Sequence, residues 1–209
     1  MIGYKVGCTS SGIRTQLGID HCVSGRLYGS EQHASGAVLS RQEFANLAIE
    51  GELAVVLSQE PNEEVLSGIG IPNCVARVFP VIELHQHVLR GKQPSAGELI
   101  ANNALHAGFI AGDGINPHDI VDKTTLNSSS LSIFADNRLL AECAGPALVQ
   151  TIRSSLKWLT AMVLDRGERL RAGQIILTGS IPSLIPITEN CGIRVDAPPF
   201  GSVEVKFKT

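Results

Sequence analysis

Two acids interrupt the most apolar stretch of this chain. The run Ala48-Ile49-Glu50-Gly51-Glu52-Leu53-Ala54-Val55-Val56-Leu57 otherwise reads as a buried strand, yet Glu50 and Glu52 stand one residue apart inside it. Alternate side chains of a strand share a face, so both carboxylates point the same way, about 7 Å apart along the chain. Ala54 and Val56 continue that face, which argues against a solvated one. Burying one lone carboxylate is costly, and burying two together is worse unless a cation neutralises them. The similar run Val78-Phe79-Pro80-Val81-Ile82-Glu83-Leu84 carries a third acid, Glu83. Carboxylate-only ligation suits hard, oxygen-seeking ions such as Mg²⁺ or Mn²⁺. Glu50, Glu52 and Glu83 therefore read as one divalent-metal site. The competing reading places the pair on an exposed edge strand with the apolar side chains turned inward.

The rest of the chain points to a mixed α/β fold dominated by strands. Its 21 glycines recur between short apolar runs, a pattern of short strands and tight turns rather than a helical bundle. Strands are expected at 3–8, 49–57, 78–84, 109–111, 131–136, 174–177 and 202–207. Ser95-Ala96-Gly97-Glu98 is a capping-box signature, opening a helix expected to stop near Gly108. A second helix is expected from about Pro146 to Gly167, with Leu148, Ile152, Leu156, Leu159 and Val163 at helical spacing. With 209 residues, 44% of them hydrophobic, residues 1–209 are expected to form one domain. The net charge of −3 spreads without long runs, which argues against a nucleic-acid groove or a membrane surface. No apolar stretch reaches the ~18 residues of a membrane span. The start lacks the basic and apolar pattern of a signal peptide. Five scattered cysteines then read as reduced thiols of a cytoplasmic protein.

Other motifs suggest chemistry more weakly. In Gly3-Tyr4-Lys5-Val6-Gly7, Lys5 shares a strand face with two glycines, leaving space around its ammonium for an anionic substrate. The plainer alternative is a surface lysine on an edge strand. Glu83, His85 and His87 also share a face if the strand continues, a pattern that would favour zinc or iron. The histidines lack apolar flanks, however, and read as residues around the site or on the surface. Leu177-Thr178-Gly179-Ser180 offers hydroxyls and backbone amides suited to a carboxylate, or a plain turn. Gly68-Ile69-Gly70 lacks a following helix signal and does not read as a nucleotide loop. No Gly-x-Ser-x-Gly elbow occurs, and Cys8 reads as structural before nucleophilic.

Taken together, these pieces resemble the fumarylacetoacetate hydrolase superfamily, in particular its 2-keto-4-pentenoate hydratase and 4-oxalocrotonate decarboxylase branch. The residues that carry the resemblance are Gly3-Tyr4-Lys5-Val6-Gly7-Cys8-Thr9-Ser10, the run from Ile49 to Leu57, Pro80-Val81-Ile82-Glu83 and Asn102-Asn103-Ala104. Ala172-Gly173-Gln174-Ile175-Ile176-Leu177-Thr178-Gly179-Ser180 and Gly201-Ser202-Val203-Glu204-Val205 complete it, in the family's order.

The resemblance implies a β-roll with flanking helices, like the C-terminal domain of fumarylacetoacetate hydrolase. It implies Mg²⁺ or Mn²⁺ on Glu50, Glu52 and Glu83, with Lys5 as the active-site lysine. Thr178, Ser180 and Asn103 are implied to bind substrate. It further implies a homo-oligomer acting as a hydratase on short 2-oxo or 2-hydroxydienoic acids in aromatic-compound catabolism. Decarboxylase, C–C hydrolase and non-catalytic 2-oxoacid-binding subunit are the rival readings. Three departures alter the substrate-reading shell. The N-terminal helical segment usual in the branch is expected to be missing. Tyr28-Gly29-Ser30 replaces an aromatic-Ala-Asp stretch, and Leu84-His85-Gln86 replaces Val-Asp after the third glutamate. Glu31 and His33 are the nearby candidates for a His–Glu pair that activates water.

Overall fold

The two glutamate-bearing runs lie side by side. Leu47–Leu57 and Val75–Gln86 pair antiparallel, with Glu50 opposite Glu83, Glu52 opposite Val81 and Ala54 opposite Phe79. Partners across an antiparallel ladder share a face, so all three acids project to one side of the sheet. The structure, a computed structural model, describes residues 1–68, 70–91, 94–120 and 124–209. Ile69, within the Gly68-Ile69-Gly70 segment that does not read as a nucleotide loop, lies outside them.

In chain order the elements begin with β1 (Gly3–Gly7), α1 (Ser11–Leu17), β2 (Val23–Leu27), β3 (Gln32–Ala34), β4 (Ala37–Ser40) and β5 (Leu47–Leu57). There follow α2 (Glu63–Ser67), β6 (Val75–Gln86), α3 (Ala96–Ala101), β7 (His106–Ala111), α4 (Thr124–Asn127), β8 (Ser130–Ala135) and β9 (Arg138–Ala144). The last are α5 (Gly145–Asp165), β10 (Ile175–Leu177), β11 (Ile185–Pro186), β12 (Cys191–Asp196) and β13 (Ser202–Lys208). The larger sheet runs β2-β1-β10-β5-β6-β7-β3, with β11 also on β5, and the smaller runs β4-β13-β12-β8-β9. This is the mixed, strand-dominated α/β fold expected from the sequence. Strands β2, β3, β4, β9, β11 and β12 are additions; β3, β4 and β11 are only two to four residues long, too short to show a repeat.

The larger sheet is apolar on both faces. One face meets the smaller sheet and α5, whose Leu148, Ile152, Leu156, Leu159 and Val163 are buried in the main core. Each such side chain contributes roughly 1.5–3 kcal/mol on leaving water. Gly51 lets the second sheet approach closely, since a Cβ there would sit 2.7 Å from Ile133 Cδ1. The glutamate face covers a second cluster of Leu27, Ala54, Phe79, Val81, Phe109, Ile175 and Leu177. That cluster excludes the exposed-edge reading of Glu50 and Glu52.

The Ser95 capping box forms as expected. The helix it opens does not reach Gly108, however: it ends at Ala101. Asn103, Ala104 and Leu105 then all take positive φ (52°, 56° and 62°), and His106 starts β7. A run of left-handed residues cannot continue a right-handed helix. Pairing of 106–111 with β6 overrides the helical tendency read from the sequence. Among the described residues no helix is long and apolar enough to cross a membrane.

Candidate metal centre

Glu50, Glu83 and His85 bring one ligand atom each within 4.8 Å of one another. His85 reaches this cluster because β6 runs on to Gln86 and puts it opposite Ala48, on the glutamate face. A bulge between Leu84 and His85 on the β7 side adjusts its aim. Its Nε2 lies 3.2 Å from Glu50 Oε2 and 3.2 Å from Glu83 Oε2. His85 is buried, which excludes its reading as a surface residue. His87 is outside the strand and pairs through its backbone with Ala45 and Asn46.

Glu83 is the hub. Its Oε1 is 2.8 Å from Lys5 Nζ and 2.7 Å from His106 Nδ1. Lys5 is 1% exposed, so it is no surface lysine: β1 lies between β2 and β10, and the side chain crosses the sheet face inward. Its cross-strand neighbour is Gly25, where a Cβ would sit 2.8 Å from Lys5 Cγ. Lys5 Nζ also donates to the carbonyl of Ala104 at 3.2 Å. The left-handed turn at 103–105 supplies that carbonyl, and Asn103 clamps the turn. Its Oδ1 accepts from Arg26 N at 2.6 Å and its Nδ2 donates to Arg26 O at 2.9 Å. Both amide groups of Asn103 are thus engaged with backbone.

Glu52 points to the turn after β10, where its Oε2 accepts from the Gly179 amide. Helix α5 fixes that turn, because Ser155 Oγ donates to Thr178 O at 2.6 Å. Thr178 Oγ1 in turn donates to Leu53 O at 2.7 Å. Ser180 Oγ donates to Gly51 O (3.2 Å) and Pro182 O (2.8 Å). Thr178 is therefore a buried brace, while Gly179 and Ser180 line the adjoining cavity.

The charges are out of balance for isolated side chains. Burial, then Glu83 and Glu50, push the Glu52 carboxyl well above the usual range. Burial would also raise Glu83, but Lys5 foremost, with His85 and His106, holds it well below. Burial alone would depress Lys5, yet Glu83 and Glu50 raise it. For His85, burial acts downward while Glu83 and then Glu50 carry it up to about 9. Among the described residues, the buried atoms Glu52 Oε1 and His85 Nε2 have no hydrogen-bond partner. Two converging carboxylates and an imidazole, with the unpaired oxygen of buried Glu52 on the same sheet face, offer the donors that a divalent cation takes. The donor set fits one.

A cavity of about 370 Å³ opens onto Lys5, Glu50 and His85. Its walls include Ile13, Leu17, Leu99, Leu105, Ile181 and Leu184, with Cys8, Thr9, Ser10 and Ser180 as polar points. Burial pushes the Cys8 thiol up, away from a nucleophilic thiolate. Glu31 and His33 do not line this cavity. Glu31 Oε2 lies 3.8 Å from His106 Nε2 on the far side, and His33 pairs with Ile110. His106 carries no flank or motif in the sequence that marks it, and only the pairing of β6 with β7 brings it to Glu83.

No family model matches the chain. Relatives do match along its whole length. It is 24% identical over 207 residues to a 2-keto-4-pentenoate hydratase of Burkholderia vietnamiensis, covering 99% of this chain and 78% of that one. It is 27% identical over 211 residues to a 4-oxalocrotonate decarboxylase of Pseudomonas putida, covering 99% and 77%. The solved structure of 4-oxalocrotonate decarboxylase from Pseudomonas putida G7, complexed with magnesium and adipate, gives a TM-score of 0.87 at 23% identity. It covers 100% of this chain and 78% of that one. The homologues are thus hydratases and decarboxylases, and the fold is that of the fumarylacetoacetate hydrolase superfamily.

Proposed function

We propose that this chain, homologous over its whole length to hydratases and decarboxylases, is a divalent-metal-dependent hydro-lyase. Its substrate is a short 2-hydroxydienoic or 2-oxoenoic acid such as 2-oxopent-4-enoate. The observation that carries the reading is the cluster of buried Glu52, Glu83 and Lys5 with half-buried Glu50, of which Lys5 and Glu50 line the 370 Å³ cavity. Glu50, Glu52 and Glu83 hold Mg²⁺ or Mn²⁺. When bound, the ion supplies Lewis-acid stabilisation of negative charge on the substrate's 2-oxo oxygen.

The chain's own groups do the rest. Lys5, oriented by Glu83 and the Ala104 carbonyl, delivers or takes the proton as the dienol becomes the ketone. The turn at Gly179 and Ser180 seats the substrate carboxylate, held in shape by Thr178 and α5. Asn103 acts through the backbone by fixing the Ala104 carbonyl. The apolar walls limit water to the molecule that adds across the conjugated double bond.

A decarboxylase is the second reading, favoured by the 27% identity to one such enzyme. The same charge then develops while CO₂ leaves. The test is turnover on a panel of 2-hydroxydienoates and 2-oxo diacids, with Mg²⁺ or with chelator. Metal-dependent hydration supports the hydratase, and CO₂ release moves the assignment to decarboxylase. Metal binding without any turnover leaves a 2-oxoacid-binding subunit. We also propose a homo-oligomer, since Tyr28, Val88, Ile100, Leu139 and Leu164 are exposed outside the cavity. A monomer by light scattering at micromolar concentration would count against it.

A further inference from the structure

Three carboxylates alone would suit a hard ion, but the geometry here contains a nitrogen. His85 Nε2 sits between two acids, 3.2 Å from Glu50 Oε2 and 3.2 Å from Glu83 Oε2. Both contacts are at ion-pair distance but lack full hydrogen-bond geometry; His106 Nε2 is likewise without a hydrogen-bond partner but does not lie between two carboxylates. The His85 ring is buried, so water does not supply the missing partner from bulk solvent. A nitrogen unpaired in hydrogen-bonding terms, aimed at the point where two carboxylates converge, is placed as a ligand is placed. The cavity reaches the same point, since Glu50 and His85 both line it. That leaves an approach for substrate on one side of the cluster.

His106 does not compete for the role. Its Nδ1 is engaged with Glu83 at 2.7 Å, and its Nε2 faces Glu31 at 3.8 Å, away from the cluster. Such a histidine orients a ligating carboxylate, as outer partners of metal ligands commonly do. Glu52 is likewise partly committed, with one oxygen on the Gly179 amide.

We infer that His85 is a metal ligand and that the centre takes a first-row transition ion (Mn²⁺, Fe²⁺ or Co²⁺) in preference to Mg²⁺. This rests on the metal-dependent reading and sharpens it. Imidazole suits the borderline transition ions, whereas Mg²⁺ is met mostly by carboxylates and water. An imidazole added to the carboxylates contributes a nitrogen bond that Mg²⁺ uses poorly and a borderline ion uses well.

The test uses the whole protein stripped with chelator and reloaded with Mn²⁺. Pulsed EPR should show the ¹⁴N coupling of a directly bound imidazole. The coupling should vanish in His85→Asn and persist in His106→Asn. Calorimetric titration should show Co²⁺ binding more tightly than Mg²⁺. In His85→Asn that ratio should fall by more than the roughly 10–100-fold that loss of an outer partner costs. Should His85→Asn not fold, the wild-type coupling and its persistence in His106→Asn still decide the matter. Bound Mn²⁺ without ¹⁴N coupling, or coupling that survives in His85→Asn, overturns the inference while leaving metal dependence intact. Failure to bind any of these ions overturns both.

Discussion

Replacing Lys5 by methionine removes the only lysine in the buried cluster while keeping most of its aliphatic stem. Lys5 Nζ is 2.8 Å from Glu83 Oε1, and both side chains are at most 2% exposed. Removing one partner of such a pair leaves an uncompensated buried charge and costs ~3–5 kcal/mol. His85 and His106 still face Glu83, which places the expected loss near the lower end. About 3 kcal/mol corresponds to roughly 6–12 °C in Tm for a chain of 150–250 residues. Urea denaturation of the chelator-treated protein at pH 7.5 measures it. The pH dependence follows from the direction of the Glu83 shift. Because Lys5 holds Glu83 well below the ordinary carboxylate value, the stabilisation is present above the unfolded pKa and lost as pH falls through the folded one. The gap between wild type and Lys5→Met should therefore be widest near neutrality and shrink in acid. Added metal should raise Tm more in the variant, since the cation supplies the missing positive charge. Turnover should fall by roughly 10²-fold or more, without loss of metal affinity. Lys5→Arg should rescue poorly, because Gly25 and the lysine stem leave no room for the larger fork. A stability loss under ~1 kcal/mol, well below the range for a broken buried pair, or a gap unchanged in acid, would refute the reasoning.

Other perturbations test separate links. Since Glu83 and Glu50 carry His85 up to about 9, metal binding near pH 7.5 should release close to one proton from His85, and further proton from Glu52, whose carboxyl burial pushes well up. The protonated form of His85 stabilises the metal-free fold fully below the unfolded value of ~6.5, and this is lost as pH rises through 9, so metal affinity should climb and then level off above it. Calorimetry in buffers of different ionisation enthalpy reads both effects. Glu52→Gln should leave the metal-free protein within about 1 kcal/mol of wild type by urea denaturation, because burial and the neighbouring acids disfavour the charge that the amide lacks. The same variant should lose the metal-induced rise in Tm. Asn103→Ala removes two hydrogen bonds to Arg26 and should cost ~1–3 kcal/mol, lowering turnover through the Ala104 carbonyl while metal affinity holds.

Strand periodicity placed Glu50 and Glu52 on one face, and Ala54 beyond them told that the face is covered. Both inferences need only the two-residue repeat and the cost of burying charge. The core stripe of α5 was legible for the same reason, since helical spacing is local. The capping box was legible too, but not where its helix ends, because the stop at Ala101 is imposed by β7 pairing with β6. His85 was legible only on the condition that its strand runs on, and His106 not at all. Whether β6 continues past Glu83 depends on its pairing with the start of β5, some forty residues earlier, and His106 meets Glu83 only across a third strand. Lys5 reaches Glu83 over seventy-eight positions of chain, through space that Gly25 on yet another strand leaves open. Local chemistry decides which residues bear the charges and which way they face. Their partners are decided by which strands lie next to one another, because hydrogen-bonded pairing joins segments irrespective of their distance along the chain.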